Sequence, residues 1–270
     1  MGATSSAESR ARAGADSKLV NESLHEGIFH VELNRPEAGN TANKALADQL
    51  RTAVLNASST SGVRVLLVSA AGRNFMAGGD LSALRGDHSE TLDLVRTVND
   101  TIVALSECTV PIVCAVQGMV AGGGLGLALS SDILIAEEGA RFTVGSPAIG
   151  LSPDAGTSWQ LARWVGQRKA LEMSLLCTMV DVQDALACGL INEIAPKGSL
   201  MEVARSRATQ LASGASLALR HTRQLLRAAA GNTLVAQIAQ EGEAFAQCMQ
   251  SPDFSEGLAA MMEKRKPRFS

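Results

Sequence analysis

The chain is poor in aromatic residues and contains no tyrosine. Aromatic residues make up 3% of its 270 residues, whereas hydrophobic residues as a whole make up 46%. A tyrosine hydroxyl therefore cannot act as an acid, a base or a hydrogen-bond donor to an oxyanion in this protein. Burial must rely on Ala, Leu, Val, Ile and Met, which are numerous enough for one large domain or one domain with an appendage.

Other absences disfavour metal, nucleic-acid and membrane functions. The five cysteines show no CxxC spacing, which disfavours a zinc site and indicates free thiols in a reducing compartment. The formal net charge of −3 gives no electrostatic footprint for nucleic acid. No apolar run reaches the roughly 18 residues that a membrane span needs. We therefore expect a cytoplasmic protein without a metal ion or a redox cofactor.

The first 17 residues are rich in Ala, Ser and Arg and lack the hydrophobic core of a secretory signal. We expect residues 1–17 to form a disordered extension, and an organelle transit peptide is the alternative. No low-complexity linker interrupts the chain after them.

Two glycine-bearing loops follow apolar segments, one at residues 75–81 and one at residues 116–127. A glycine costs about 1 kcal/mol in a regular element, so such a loop indicates that another group approaches the backbone closely. Two loops of this kind can each direct one backbone N–H into the same cleft, as an oxyanion hole requires. The alternative is that the glycines only allow close packing. A dinucleotide fingerprint is excluded, because its third glycine position falls on Leu127 or Leu129.

Strand and helix patterns alternate along most of the chain, which predicts an α/β fold with buried sheets. The predicted strands are residues 28–33, 63–68, 112–116 and 133–136, with a helix at residues 43–57. After about Lys197 the pattern becomes helical, with predicted helices at residues 200–211, 216–230 and 235–249.

The two glycine loops, taken together, resemble the paired signatures of the crotonase (enoyl-CoA hydratase/isomerase) superfamily. The resemblance runs from about Leu19 to the C-terminus and includes residues 33–37 and 256–267. It implies a crotonase-like spiral of ββα units at residues 18–197. It also implies a C-terminal helical region at residues 198–270 that assembles a homotrimer, or a hexamer as a dimer of trimers. The implied substrate is an acyl-CoA thioester, with coenzyme A as part of the substrate and no further cofactor.

The resemblance assigns the oxyanion donors to the backbone N–H groups of Gly79 and Gly123, which would stabilise a thioester enolate. Gly123 would also begin a helix, where the helix dipole favours negative charge. Further positions match those that contact coenzyme A or the acyl group in the family: Ala38, Ala77, Asp80, Leu81, Gly126, Ser146 and Lys264. Lys264 matches a basic position that approaches the CoA phosphates, and that contact can cross a subunit boundary.

The candidate proton carrier is Asp154. A hydratase of this family uses two glutamates, and their matching positions here hold Gly126 and Ser146, which cannot act as general bases. Asp154 matches the catalytic aspartate of several crotonase branches, and a partly apolar environment can raise the pKa of such a carboxylate. The alternative role for Asp154 is a helix N-cap. We interpret the chain as an enoyl-CoA isomerase, for a double-bond shift or an epoxyphenylacetyl-CoA-type ring isomerisation, with Asp154 as its single base.

Three other functions stay open from the sequence. One is a hydrolytic aryl-CoA dehalogenase or another Asp-dependent hydrolase, which would also use Asp154. The aromatic clamp of the dehalogenase is missing here, since Ser146 and the Val98–Asn99 pair stand at the matching positions. An acyl-CoA-binding protein without catalysis and an atypical enoyl-CoA hydratase are the others. The histidines are expected to be surface or structural residues, with His88 on a polar loop.

Overall fold

The structure, a computed structural model, describes residues 18–80, 82 and 87–269. The proposed extension at residues 1–17 and the candidate residue Leu81 lie outside the described residues. Within them, no helix is both long enough and apolar enough to cross a membrane.

Two sheets form the core. The six-stranded sheet has the strand order β1-β2-β3-β4-β6-β9, and the three-stranded sheet has the order β5-β7-β8. The strands are β1 (Val20–His25), β2 (Ile28–Leu33), β3 (Val65–Ala70), β4 (Ile112–Val116), β5 (Met119–Ala121), β6 (Ile133–Glu137), β7 (Arg141–Thr143), β8 (Val180–Asp181) and β9 (Glu193–Ala195). In the large sheet β1 is antiparallel to β2, and the later neighbours pair in parallel.

Helices surround the sheets and follow the strands in the chain. They are α1 (Lys44–Ser59), α2 (His88–Glu107), α3 (Gly123–Leu129), α4 (Thr157–Leu175), α5 (Val182–Ala187), α6 (Leu200–Ala212), α7 (Ser216–Ala228), α8 (Leu234–Met249) and α9 (Pro252–Met262). Asn43 caps α1, because its side chain accepts a hydrogen bond from the Leu46 N–H. The mixed α/β architecture expected from the sequence is confirmed.

The central strands are apolar on both faces because helices cover both faces of the sheet. On β3, Leu66 and Val68 point into the larger core, while Val65 and Leu67 face α6 and pack with residues such as Ala204.

The strand predicted at residues 63–68 lies at residues 65–70 in the structure, so it begins and ends two residues later than expected. The division of the chain at residue 197 stays a prediction. Helix α6, which follows that residue in the chain, packs directly on the six-stranded sheet.

Parallel pairing of β3 and β4 brings the two glycine loops together. Leu66 pairs with Ile112 and Val68 with Cys114, so both strands end at the same edge of the sheet. The first glycine loop follows β3 and the second follows β4. Ligands in open parallel sheets bind at the carboxyl ends of the strands, and this edge is where the candidate site lies.

Helix α7 is hydrogen-bonded to the C-terminal ends of α2 and α3, two helices that line the site. Arg223 is buried, and it donates hydrogen bonds to Asp132 and to the Leu105 carbonyl near the end of α2. Arg227 donates to Asp132 and to the Ser130 carbonyl just after α3. These cations lie near helix C-termini, where the helix dipole favours positive charge, and they connect the C-terminal helices to the core.

Candidate active site

The first glycine loop pairs with the strand that precedes α3. The Met76 N–H donates to the Met119 carbonyl at 3.2 Å, and the Ala121 N–H donates to the Met76 carbonyl at 3.0 Å. A Cβ on Gly124 would lie 2.6 Å from both Cβ and the carbonyl oxygen of Met76. The close-packing interpretation of the glycines is therefore correct for Gly124, which allows α3 to approach the first loop.

Two other glycines allow backbone turns beside this contact. Gly78 has φ +111° and Gly122 has φ +52°, both in the region that side chains disfavour. The two backbones are close, since a Cβ on Gly122 would lie 3.6 Å from Gly78 Cα. Each turn is followed by one of the candidate oxyanion donors.

Gly79 and Gly123 line the same cavity. Among the described residues, neither backbone N–H has a hydrogen-bond acceptor, and the N–H of Gly123 is the first of helix α3. Two free donors at one cavity can bind a carbonyl oxygen and stabilise negative charge as it develops there. The arrangement is compatible with the predicted oxyanion role of Gly79 and Gly123, which stays a prediction.

The cavity that these glycines line, here called the apolar pocket, has a volume of about 330 Å³. Its walls come from α1, α2, α3 and the segment before α4, and most of its lining side chains are aliphatic. They include Leu46, Leu50, Leu92, Leu94, Val95, Val98, Ile102, Leu127, Ile149 and Leu151. The pocket is suited to an apolar group, and its few polar side chains stand out against that lining.

A second cavity of about 460 Å³, here called the adjoining groove, meets the apolar pocket at the glycines. The two share Gly79, Gly122, Ser146 and Ile149. Ala77 and Asp80, two of the predicted CoA-contact positions, line the groove, and their contact with coenzyme A stays a prediction. A ligand with an apolar end and a polar end can thus lie across both cavities with its junction beside the two free N–H groups.

Asp154 lines the apolar pocket and is half-buried. No described side chain forms a hydrogen bond or an ion pair with its carboxylate. Burial raises the pKa of Asp154 above its usual value, and a hydrogen bond from its own backbone opposes this only in part. The N-cap alternative is wrong, because α4 begins at Thr157 and its N-cap is Gly156, without a side-chain cap.

The loop after Asp154 has an unusual backbone. Ala155 has φ +50° and Gly156 has φ +65°, so two consecutive residues adopt the left-handed conformation. For a residue with a side chain this conformation is uncommon and costs free energy. Ala155 is fully buried, and its N–H donates to Oδ1 of Asn99 on α2 at 3.1 Å.

Gly126 contacts this same loop. It is not among the residues that line either cavity, and a Cβ there would overlap the Ala155 carbonyl oxygen and lie 2.8 Å from Ala155 Cβ. The loop after Asp154 occupies the space beside Gly126, and the expected contact of Gly126 with coenzyme A or the acyl group stays a prediction. Ser146 lines both cavities. Its contact with the ligand stays a prediction, and its hydroxyl supplies no second carboxylate.

The remaining CoA-contact assignments are only partly placed. Asp80 is held by Arg35 at 2.8 Å and by the Ser82 hydroxyl at 2.6 Å. Burial would raise the pKa of Asp80, but the hydrogen bonds from Ser82 and Arg35 outweigh it, so the pKa is lowered. Ala38 and Lys264 line neither cavity, and their contact with coenzyme A stays a prediction.

The Asp80 ion pair leads to a pH-dependent stability effect. Its pKa is lower in the folded protein, so the ionised group stabilises the fold above its ordinary pKa of 3.8, and this contribution is lost as the pH falls below that value. We expect Asp80→Asn to lower the free energy of unfolding by about 1 kcal/mol at neutral pH. Urea unfolding at neutral pH and near pH 3 measures the difference, and an equal difference at both would contradict it.

Helix α2 contributes more to the pocket than the sequence indicated. His88 is its first residue rather than part of a polar loop, and His88 lines the pocket with Thr91 and Thr101. Among the described residues, no Phe or Trp lines the pocket. Nor does the described part of the chain contain a group of three or more His, Cys, Asp or Glu residues placed to hold a metal ion.

Known proteins share the sequence pattern and the fold of this chain. The family model for enoyl-CoA hydratase/isomerase matches residues 23–270. A Rhodobacter capsulatus protein named probable enoyl-CoA hydratase is 35% identical over 93% of this chain and 97% of its own length. The 1,2-epoxyphenylacetyl-CoA isomerase of Escherichia coli is 31% identical over 94% of this chain and 98% of its own. An enoyl-CoA hydratase structure from Polaromonas sp. JS666 has a TM-score of 0.88 at 28% identity, covering 93% of this chain and 99% of that one. The chain belongs to the enoyl-CoA hydratase/isomerase family, the crotonase superfamily.

Proposed function

We propose that this protein is an enoyl-CoA isomerase in which Asp154 is the single base. The observation that carries the proposal is the position of the Asp154 carboxylate. It is unpaired by any described side chain and lines the same apolar pocket as the free N–H groups of Gly79 and Gly123. Acyl-CoA chemistry follows from the family, and the isomerase assignment is ours.

The reaction we propose moves one proton within the acyl group. The thioester carbonyl oxygen accepts hydrogen bonds from the N–H groups of Gly79 and Gly123, which stabilise the enolate and so acidify C2. The Asp154 carboxylate takes a proton from C2 of a 3-enoyl thioester and leaves a dienolate. The same carboxyl group returns the proton to C4, where the electron pair of the former C3–C4 double bond forms the new C4–H bond. The pair released from the C2–H bond becomes the new C2–C3 double bond as the carbonyl is restored. No water is consumed.

The proposed ligand extends from the apolar pocket into the adjoining groove. The acyl group lies among the aliphatic side chains of the pocket, and the pantetheine arm lies along the groove beside Ala77 and Asp80. In this proposal Ala38, Leu81 and Lys264 also contact coenzyme A. The reaction needs neither a metal ion nor a redox cofactor, and the cytoplasmic location stays a prediction.

We also propose a homotrimer, or a hexamer of two trimers. Large apolar side chains are exposed along the C-terminal helices α8 and α9: Leu234, Val235, Ile238, Phe245, Met261 and Met262. Large apolar side chains exposed in such numbers on two helices favour a protein interface there.

Ring isomerisation of an epoxyphenylacetyl-CoA-type substrate is the second candidate. It is favoured by the 31% identity to the Escherichia coli enzyme of that name, and it needs the same oxyanion site and one carboxylate. Dehalogenation is disfavoured, because no Phe or Trp side chain among the described residues lines the pocket to hold an aryl ring.

The experiment that tests the proposal compares product masses. The purified protein is incubated with 3-enoyl-, 2-enoyl-, epoxyaryl- and 4-halobenzoyl-CoA esters, and the products are identified by chromatography and mass spectrometry. We expect a product of unchanged mass from the 3-enoyl or the epoxyaryl ester. A product that gains only water would contradict the proposal, and so would the exchange of halide for hydroxyl. Absence of any product beside tight binding would favour a binding protein.

Asp154 should reduce the stability of the folded protein. Because burial raises its pKa, the folded state holds the proton more tightly than the unfolded state, and stability falls as the pH rises from 3.8 through the raised pKa. We expect Asp154→Asn to raise the free energy of unfolding by about 1 kcal/mol at neutral pH. The gain should vanish below pH 3.8 in urea unfolding, and a destabilised variant at neutral pH would contradict this expectation.

A further inference from the structure

The position of the Asp154 carboxylate depends on the backbone of its loop rather than on a partner side chain. The next two residues are both left-handed, and helix α4 starts without a side-chain cap. A loop of this kind keeps its conformation only where its surroundings hold it. Residues that hold this loop in place therefore also control where the Asp154 carboxylate lies.

One such contact comes from Asn99 on helix α2. Its Oδ1 accepts the N–H of Ala155, the residue directly after Asp154, at 3.1 Å. Ala155 is fully buried, so without this acceptor its N–H would be an unpaired polar group inside the protein. Asn99 itself is exposed and does not line the apolar pocket, so it is not placed to touch a substrate there.

We propose that Asn99 is a positioning residue that fixes the left-handed conformation at Ala155 and so aims the Asp154 carboxylate at the substrate. This proposal rests on the proposed function, because it assigns Asn99 a role through the base. Its side chain connects α2, which forms a wall of the pocket, to the loop that carries the base.

Helix α3 supports the same loop from another side. A Cβ at Gly126 would overlap Ala155, and the Gln160 side chain donates to the Gly126 carbonyl at 3.0 Å. The first contact limits how far the loop can move toward α3, and the second joins the helix after the loop to α3. Asn99 supplies the hydrogen bond that fixes its orientation, and loss of that bond should move the carboxylate without unfolding the protein.

The test uses proton exchange, because it requires only the base and the oxyanion site. Hexanoyl-CoA is saturated, so it cannot undergo a double-bond shift, but Asp154 can remove its C2 proton and return a deuteron in D₂O. Exchange is followed by mass spectrometry for the full-length protein, for Asn99→Leu and for Asn99→Asp. Hexanoyl-CoA affinity is measured in parallel by calorimetry.

We expect Asn99→Leu to exchange about 10- to 100-fold more slowly than the wild type, with hexanoyl-CoA affinity within about twofold. Asn99→Asp keeps an oxygen acceptor of the same reach, and it should recover most of the rate. Arg96→Ala, an exposed change on the same helix, serves as the matched control and should exchange normally. The split between rate and affinity separates positioning from general damage to the fold.

Asp154→Asn separates the two levels of the proposal. If it abolishes exchange while Asn99→Leu exchanges normally, Asp154 is the base and the positioning role of Asn99 is wrong. If Asp154→Asn exchanges normally, the proposed function itself is wrong, and the role of Asn99 is wrong with it. Equal loss of rate in Asn99→Leu and Asn99→Asp would also overturn the positioning role.

Discussion

Replacing Asp154 by asparagine is expected to lower the isomerisation rate by about 100-fold or more with little change in acyl-CoA affinity. Asparagine has nearly the same shape, but it cannot accept a proton from C2. The pocket and the N–H groups of Gly79 and Gly123 remain, so binding should persist. Initial rates with a 3-enoyl-CoA ester and calorimetric binding of a saturated acyl-CoA measure the two quantities separately.

Asp48→Asn is the matched control for this change. Asp48 is exposed on α1 and pairs with Lys44 at the surface, where such pairs contribute little. We expect its activity to equal that of the wild type. A normal rate in Asp154→Asn would remove Asp154 from the chemistry, and the protein would then need a different base.

The second large effect is expected at Gly126, which matches a position where a hydratase of this family has a catalytic glutamate. A Cβ there would overlap the Ala155 carbonyl oxygen and approach the Thr157 hydroxyl at 2.8 Å. Since Ala155 is buried, the loop would have to shift and carry Asp154 with it. We expect Gly126→Ala to lower the isomerisation rate by about 100-fold and the free energy of unfolding by about 1 to 3 kcal/mol.

Gly242→Ala provides the control for the glycine substitution. Gly242 lies within α8, and a Cβ there would meet nothing within 4 Å. Alanine favours the helix by about 1 kcal/mol, so this variant should be at least as stable as the wild type and fully active. A fully active Gly126→Ala enzyme would show that the loop does not depend on contact with α3.

The sequence was informative where local constraints dominate. Runs of glycine after apolar strands predicted the region of Gly79 and Gly123, because a turn that only glycine adopts and a close backbone approach both leave a local signal. The strands at residues 112–116 and 133–136 were confirmed closely, β6 extending by one residue. Their continuous apolar character reflects burial on both faces of the sheet.

The part that could not be predicted depends on contacts between distant segments. Asn99 and Ala155 are 56 residues apart in the chain, and nothing local to either residue indicates their hydrogen bond. The proline and aspartate before α4 resemble a helix start, yet the left-handed Ala155 and Gly156 free Asp154 from the N-cap position. The structural role of Gly126 could not be predicted for the same reason. It depends on close contact with the loop at Ala155, which is a different segment of the chain.

The most direct test of a single base follows one labelled proton. A 3-hexenoyl-CoA ester carrying two deuterium atoms at C2 is converted in ordinary water, and the early product is examined by mass spectrometry and NMR. If Asp154 takes the deuteron from C2 and returns it to C4, a measurable fraction of the product keeps both deuterium atoms, one at each carbon. Complete loss of the transferred deuterium to solvent, or a product that has gained water, would contradict proton transfer by Asp154 alone.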